Sequence, residues 1–73
     1  MSDQEKLDLL CDIENMDEME MLERAISDGI AWGICTNPQC DYTTRVEPDS
    51  DIGWCEVCGT NTVKSCLILK GIM

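Results

Sequence analysis

Hydrophobic and polar positions change period once along this chain, near residue 30. Before that point apolar residues recur at helical spacing: Leu7, Leu10, Cys11 and Ile13, then Met16, Met19, Leu22, Ala25 and Ile26. Ser2 and Glu5 form a capping-box pair, in which the hydroxyl serves the third backbone N–H and the carboxylate reaches back. Asn15 offers a break, Asn15 with Glu18 or Asp17 with Glu20 offers a second cap, and Gly29 is a natural stop. Residues 2–28 therefore read as a helical hairpin or a single bent helix. The stripe from Met16 to Ile26 reads as core, although three methionines on one helix also suit an adaptable partner surface. Met21 lies at the edge of that stripe and is expected to be exposed.

Past residue 30 the period becomes two. Ile30, Trp32 and Ile34 alternate with Ala31 and Gly33, and DYTTRV over 41–46 is rich in β-formers, so the two runs predict a hairpin. EPDSD over 47–51 reads as a loop, and Gly53-Trp54 as a lead into a second turn. TVKSCLIL over 62–69 reads as a final strand, followed by a short tail. That strand is apolar enough to pack under the helices; the alternative is an edge that pairs with a second chain. The expected architecture is a small α+β domain, with an N-terminal helix or helical hairpin followed by a three-stranded antiparallel sheet. An acidic helical segment (1–29) and a sheet segment (30–73) would share one compact unit.

Composition makes that architecture thin. The chain has 73 residues, no Phe, and only Trp32, Trp54 and Tyr42 as aromatics. So small a core usually needs a staple. Cysteine supplies the candidate: Cys35-x4-Cys40 and Cys55-x2-Cys58, fourteen residues apart, fit one tetrahedral four-cysteine metal site with each pair on its own turn. Gly59 follows the second pair where a tight turn often needs positive φ, and Pro38 restricts the first. A structural zinc contributes about 10–16 kcal/mol in finger-sized peptides, so the C-terminal half is expected to fold only when metallated. Disulfides of a secreted miniprotein are the rival use of these cysteines. The acidic start MSDQEKLDLL has no leader-like apolar run, which favours a reduced, cytoplasmic setting. Cys11 and Cys66 sit among apolar neighbours and read as small hydrophobes.

The phrase CTNPQCDYTT … GWCEVCGTNTV resembles the zinc-ribbon and rubredoxin-like group, and small bacterial or phage-type zinc ribbons in particular, over roughly residues 31–65. The resemblance implies a zinc ribbon with Zn2+ on Cys35, Cys40, Cys55 and Cys58, and implies no activity. Rubredoxins hold iron in the same geometry, which leaves a one-electron carrier as the alternative. This chain departs from them in its longer first pair and its scarcity of aromatics.

Charge narrows the function. The formal net charge is −10; residues 1–29 hold ten acids against Lys6 and Arg24, residues 30–73 five against Arg45, Lys64 and Lys70. Four thiolates around one Zn2+ would add −2. Three scattered cations on the cysteine-rich half make no phosphate footprint, so direct nucleic-acid binding is not expected. A basic protein is the expected partner, facing Asp12, Glu14, Asp17, Glu18, Glu20, Met21 and Glu23; a DNA-mimicking inhibitor and a transcription component are subclasses. The plain alternative is a solvated acidic face that only keeps the protein soluble. A homodimer through the Met-rich helix or the last strand is a third reading. No His is present and four thiolates leave no open coordination position, so no enzymatic activity is expected.

Overall fold

Residues 2–72 are described by a computed structural model with helices α1 (Asp3–Glu14) and α2 (Glu18–Asp28), strands β1 (Ala31–Cys35), β2 (Thr43–Val46), β3 (Gly53–Cys55) and β4 (Thr60–Ser65), and a short α3 (Cys66–Lys70). The Ser2–Glu5 capping box forms as expected, with each partner bonding the other's backbone N–H. Asn15 ends α1 in the left-handed region at φ 53, and Gly29 ends α2 at φ 70. Asp17 is the N-cap of α2 but makes no side-chain cap bond.

The four strands form one antiparallel sheet in the order β2-β1-β4-β3. The sheet therefore has four strands, not the expected three. Gly53–Cys55, read from sequence as a lead-in, pairs with β4 across an irregularity between Gly53 and Cys55. It is too short for a periodic signal of its own, and its pairing comes from the hairpin that the second cysteine turn closes. The sheet curls so that Val46 on β2 approaches Gly53 on β3, although the two strands lie at opposite edges. Gly33 permits this. A Cβ there would sit 2.8 Å from Val63 Cγ1 and 2.9 Å from Val46 Cγ2.

The final apolar run is also corrected. It is strand only to Ser65, and Cys66–Lys70 is helical. Ser65 Oγ accepts from the Ile68 N–H, and Gly71 closes the helix at φ 84. The β1–β4 pairing ends at Gly33–Ser65, although β1 itself runs back to Ala31. Coiling instead buries Cys66, Leu67 and Leu69 against the helices.

Two cores result. The larger joins Leu7 and Leu10 of α1, Met21 and Ala25 of α2, Ala31 and Ile34 of β1, and the apolar side of α3. The smaller surrounds Cys35, Cys40, Cys55 and Val63, with Tyr42, Val46 and Cys58 packed against it. Met21 is fully buried, against the expectation of an exposed edge. The inward side of α2 runs through Met21 and Ala25, about one residue's rotation from the expected stripe. Met19 and Ile26 consequently face out, 71% and 64% exposed.

Candidate metal centre

Two turns carry the four cysteines together. The first follows β1: Cys35 is its last residue, its N–H donates to Tyr42 O, and the Cys40 N–H closes on Asn37 O at 3.0 Å. The second follows β3: the Gly59 N–H donates to Cys55 O at 2.8 Å, and Gly59 takes φ 67, as the position after the pair suggested. A side chain at Gly59 would meet open space, so it is backbone conformation that favours glycine there.

The four sulfurs lie within 4.8 Å of one another. Cys35 Sγ and Cys58 Sγ are 3.8 Å apart, and Cys40 Sγ and Cys55 Sγ 3.7 Å. With Zn–S near 2.3 Å, a regular tetrahedron has S···S edges of about 3.8 Å. Disulfide sulfurs would be near 2.05 Å, and all six cysteines are free. The donor set thus fits a four-coordinate metal ion and not a pair of disulfides.

Polar groups already point at the sulfurs. Thr62 Oγ1 is 3.0 Å from Cys35 Sγ, the Cys58 N–H donates to Cys55 Sγ at 3.3 Å, and Asn37 Nδ2 donates to Cys58 Sγ at 3.6 Å. Burial raises the Cys35 thiol pKa, but hydrogen bonds from Thr62, the Asn37 backbone and the neighbouring thiols outweigh it and bring the value to about 7. Cys58 goes the other way. Its hydrogen bond with Cys40, burial and the adjoining Cys35 and Cys55 push it up to about 12. Packed thiols without a cation cannot all ionise, and a divalent ion removes that conflict.

Lys6 completes the centre and was missed in the sequence. It lies on the inner side of α1 with Leu7 and Leu10 and is 1% exposed. Its Nζ donates to Asn37 O at 2.7 Å and to Cys40 O at 2.6 Å, both in the first cysteine turn. The ammonium thereby ties α1 to the metal turn and sets a positive charge beside it. The available signal was its place four residues before Leu10, inside the apolar stripe of an otherwise acidic helix.

The acidic residues expected to face a partner are not gathered into one site. Asp12 and Glu14 lie on α1, Asp17 caps α2, and Glu18, Glu20 and Glu23 lie on α2. Asp12, Asp17, Glu20 and Glu23 are exposed, and Glu14 and Glu18 partly so; Met21 is removed from this set by its burial. Lys70 Nζ reaches Glu18 Oε1 at 2.6 Å and holds that carboxyl below its ordinary pKa. Burial raises the pKa of both Cys11 and Cys66, which suits packing better than thiol chemistry. Among the described residues no helix is long and apolar enough to cross a membrane. Comparison with family models, curated proteins and solved structures finds no match to this chain.

Proposed function

We propose that this chain is a zinc-ribbon binding module: one structural Zn2+ on Cys35, Cys40, Cys55 and Cys58 stabilises a scaffold whose acidic helices face a protein with a basic surface. The observation that carries the metal reading is the 3.7 and 3.8 Å sulfur spacing, which matches the edge of a tetrahedron of four sulfurs around zinc. Four thiolates close the coordination sphere, so the ion has no position for water or substrate and a catalytic role is not proposed. The partner reading rests on charge: most acids of α1 and α2 have no cation within 4 Å among the described residues. A charge-mimicking inhibitor and a subunit of transcription machinery are the two subclasses that this field suits.

Native mass spectrometry on protein from weakly induced cells is expected to show one zinc per chain. Cys55→Ser is expected to remove the metal and the far-UV and near-UV signals together; a variant that keeps its fold overturns the scaffold reading. For the partner, the bait is the wild type beside Asp12→Lys, Glu20→Lys, Glu23→Lys, which leaves the Glu18–Lys70 pair intact. A basic protein held only by the wild type supports the proposal, and identical recovery by both baits removes it.

An iron-loaded one-electron carrier is the second reading, favoured by the donors to Cys35, Cys55 and Cys58 sulfurs, since such bonds tune iron–thiolate potentials. One iron with reversible visible absorbance in protein from the native host would select it.

A further inference from the structure

The outer side of α2 carries a feature that neither the metal nor the acidic field explains. Met19, Leu22 and Ile26 line a groove of about 380 Å³, open to solvent, between α2 and the end of α3. Glu18, Glu23 and Lys70 rim it, and Lys70 is already held by Glu18 at 2.6 Å. Met19 and Ile26 are two of the most exposed large apolar side chains in the protein. They recur at helical spacing over about 10 Å, which is two turns of a helix.

Resting on the reading of this helical layer as the face toward a basic partner, we propose that the groove docks an amphipathic basic helix of that partner. Two or three of the incoming helix's apolar side chains would enter between Met19, Leu22 and Ile26, and its Lys or Arg residues would meet Glu23 and Glu18 at the rim. Charge decides against a second copy of this chain. Apposed grooves would set the same acids against each other, in a chain of net charge −10 whose nearby cation is already paired. Size points the same way. A standard interface takes about 800 Å² from each partner, close to a fifth of the 4289 Å² surface here, and three apolar side chains fall well short of it. Apolar anchors inside an acidic rim also separate this proposal from mere attraction, which needs no groove.

The test uses the zinc-loaded full chain and three synthetic peptides: a leucine–lysine amphipathic helix, a scramble of it lacking an apolar face, and a leucine–glutamate counterpart. Amide shifts are mapped by NMR for the wild type and for Met19→Gln with Ile26→Gln. Both substitutions are at exposed helical positions, and zinc stoichiometry verifies the fold. The expected result is saturable binding of the leucine–lysine helix alone, with shifts centred on residues 19–26 and Lys70, weakened about tenfold or more in the glutamine variant. If scramble and helix bind alike and the variant behaves as wild type, the groove proposal falls while the basic-partner reading stands. If no basic peptide binds, both fall. Sedimentation that shows a wild-type dimer abolished in the glutamine variant assigns the groove to a second copy and overturns the proposal.

Discussion

Lys6→Met isolates the link between α1 and the metal turn. Methionine keeps the length and helix propensity of lysine and fills the same 1%-exposed position without the ammonium. The two carbonyls do not suffer equally. Asn37 O retains the Cys40 N–H at 3.0 Å, whereas Cys40 O loses the 2.6 Å bond that anchors it. A buried acceptor left without a donor costs about 1–3 kcal/mol, and the lost charge-assisted bond to Asn37 adds about 1.5 kcal/mol. The loss of a cation beside a dianionic metal site acts in the same direction, while relief from burying that cation opposes it. A net loss of about 3 kcal/mol follows. Because metal binding and folding are linked, this appears as roughly a hundredfold weaker zinc affinity, at 1.4 kcal/mol per decade. Competition against a chelator of known affinity reads it directly. Zinc affinity equal to the wild type, or higher, would refute the reasoning by showing that desolvation of the ammonium outweighs its bonds.

Zinc affinity should fall steeply with acidity. If the metal-free sheet is unfolded, all four thiols titrate near their ordinary values and apparent affinity rises about four decades per pH unit up to roughly pH 8. A packed metal-free site would behave differently: Cys35, lowered to about 7, contributes stability that is present above its unfolded value and lost as pH falls through 7, so the slope would drop to about three above pH 7. Chelator competition at several pH values is expected to give the constant slope, and a break at pH 7 would refute metal-dependent folding. Gly33→Ala should cost about 1–3 kcal/mol in chemical denaturation through its contacts with Val46 and Val63, and Val46→Ala should recover part of that; purely additive losses would contradict the close approach. Lys70→Met should move the Glu18 carboxyl upward toward its ordinary pKa in an NMR titration, since its hydrogen bond with Lys70 is the largest influence lowering it, ahead of that with Gln4.

The metal centre was the most legible part of the chain because its information is local. Two short cysteine spacings, Gly59 and a fourteen-residue interval sufficed to bring four sulfurs together. Helix ends were legible for the same reason, through Ser2, Asn15 and Gly29. What escaped depends on tertiary fit. Leu67 and Leu69 read as strand by composition, yet the local helix signals of Ser65 and Gly71 prevail, and coiling buries Cys66, Leu67 and Leu69 against α1 and α2. Gly53–Cys55 becomes a strand only because the cysteine turn closes it against β4. For α2, Met19 and Met21 are equally apolar, and which one points inward depends on how the helix sits against β1 and α3. Composition cannot rank them.

The placement of the five cations connects the two halves of the molecule. Lys6 is buried against the metal turn, Lys64 approaches Asp3, Lys70 holds Glu18, Arg24 lies by Glu20, and Arg45 lies over the Trp32 ring at 5.7 Å. Each therefore has a partner within the fold: Lys64 and Lys70 tie the sheet and α3 to the helices, and Lys6 ties α1 to the first cysteine turn. The remaining carboxylates of α1 and α2 have no cation within 4 Å among the described residues and repel one another. Such repulsion opposes packing of the helical layer, and the Lys6 bonds and the shared core resist it, as a metal bound at the four cysteines would. A cationic partner on α2 would relieve the same repulsion, so its binding would stabilise the layer that Lys6 anchors to the cysteine turn.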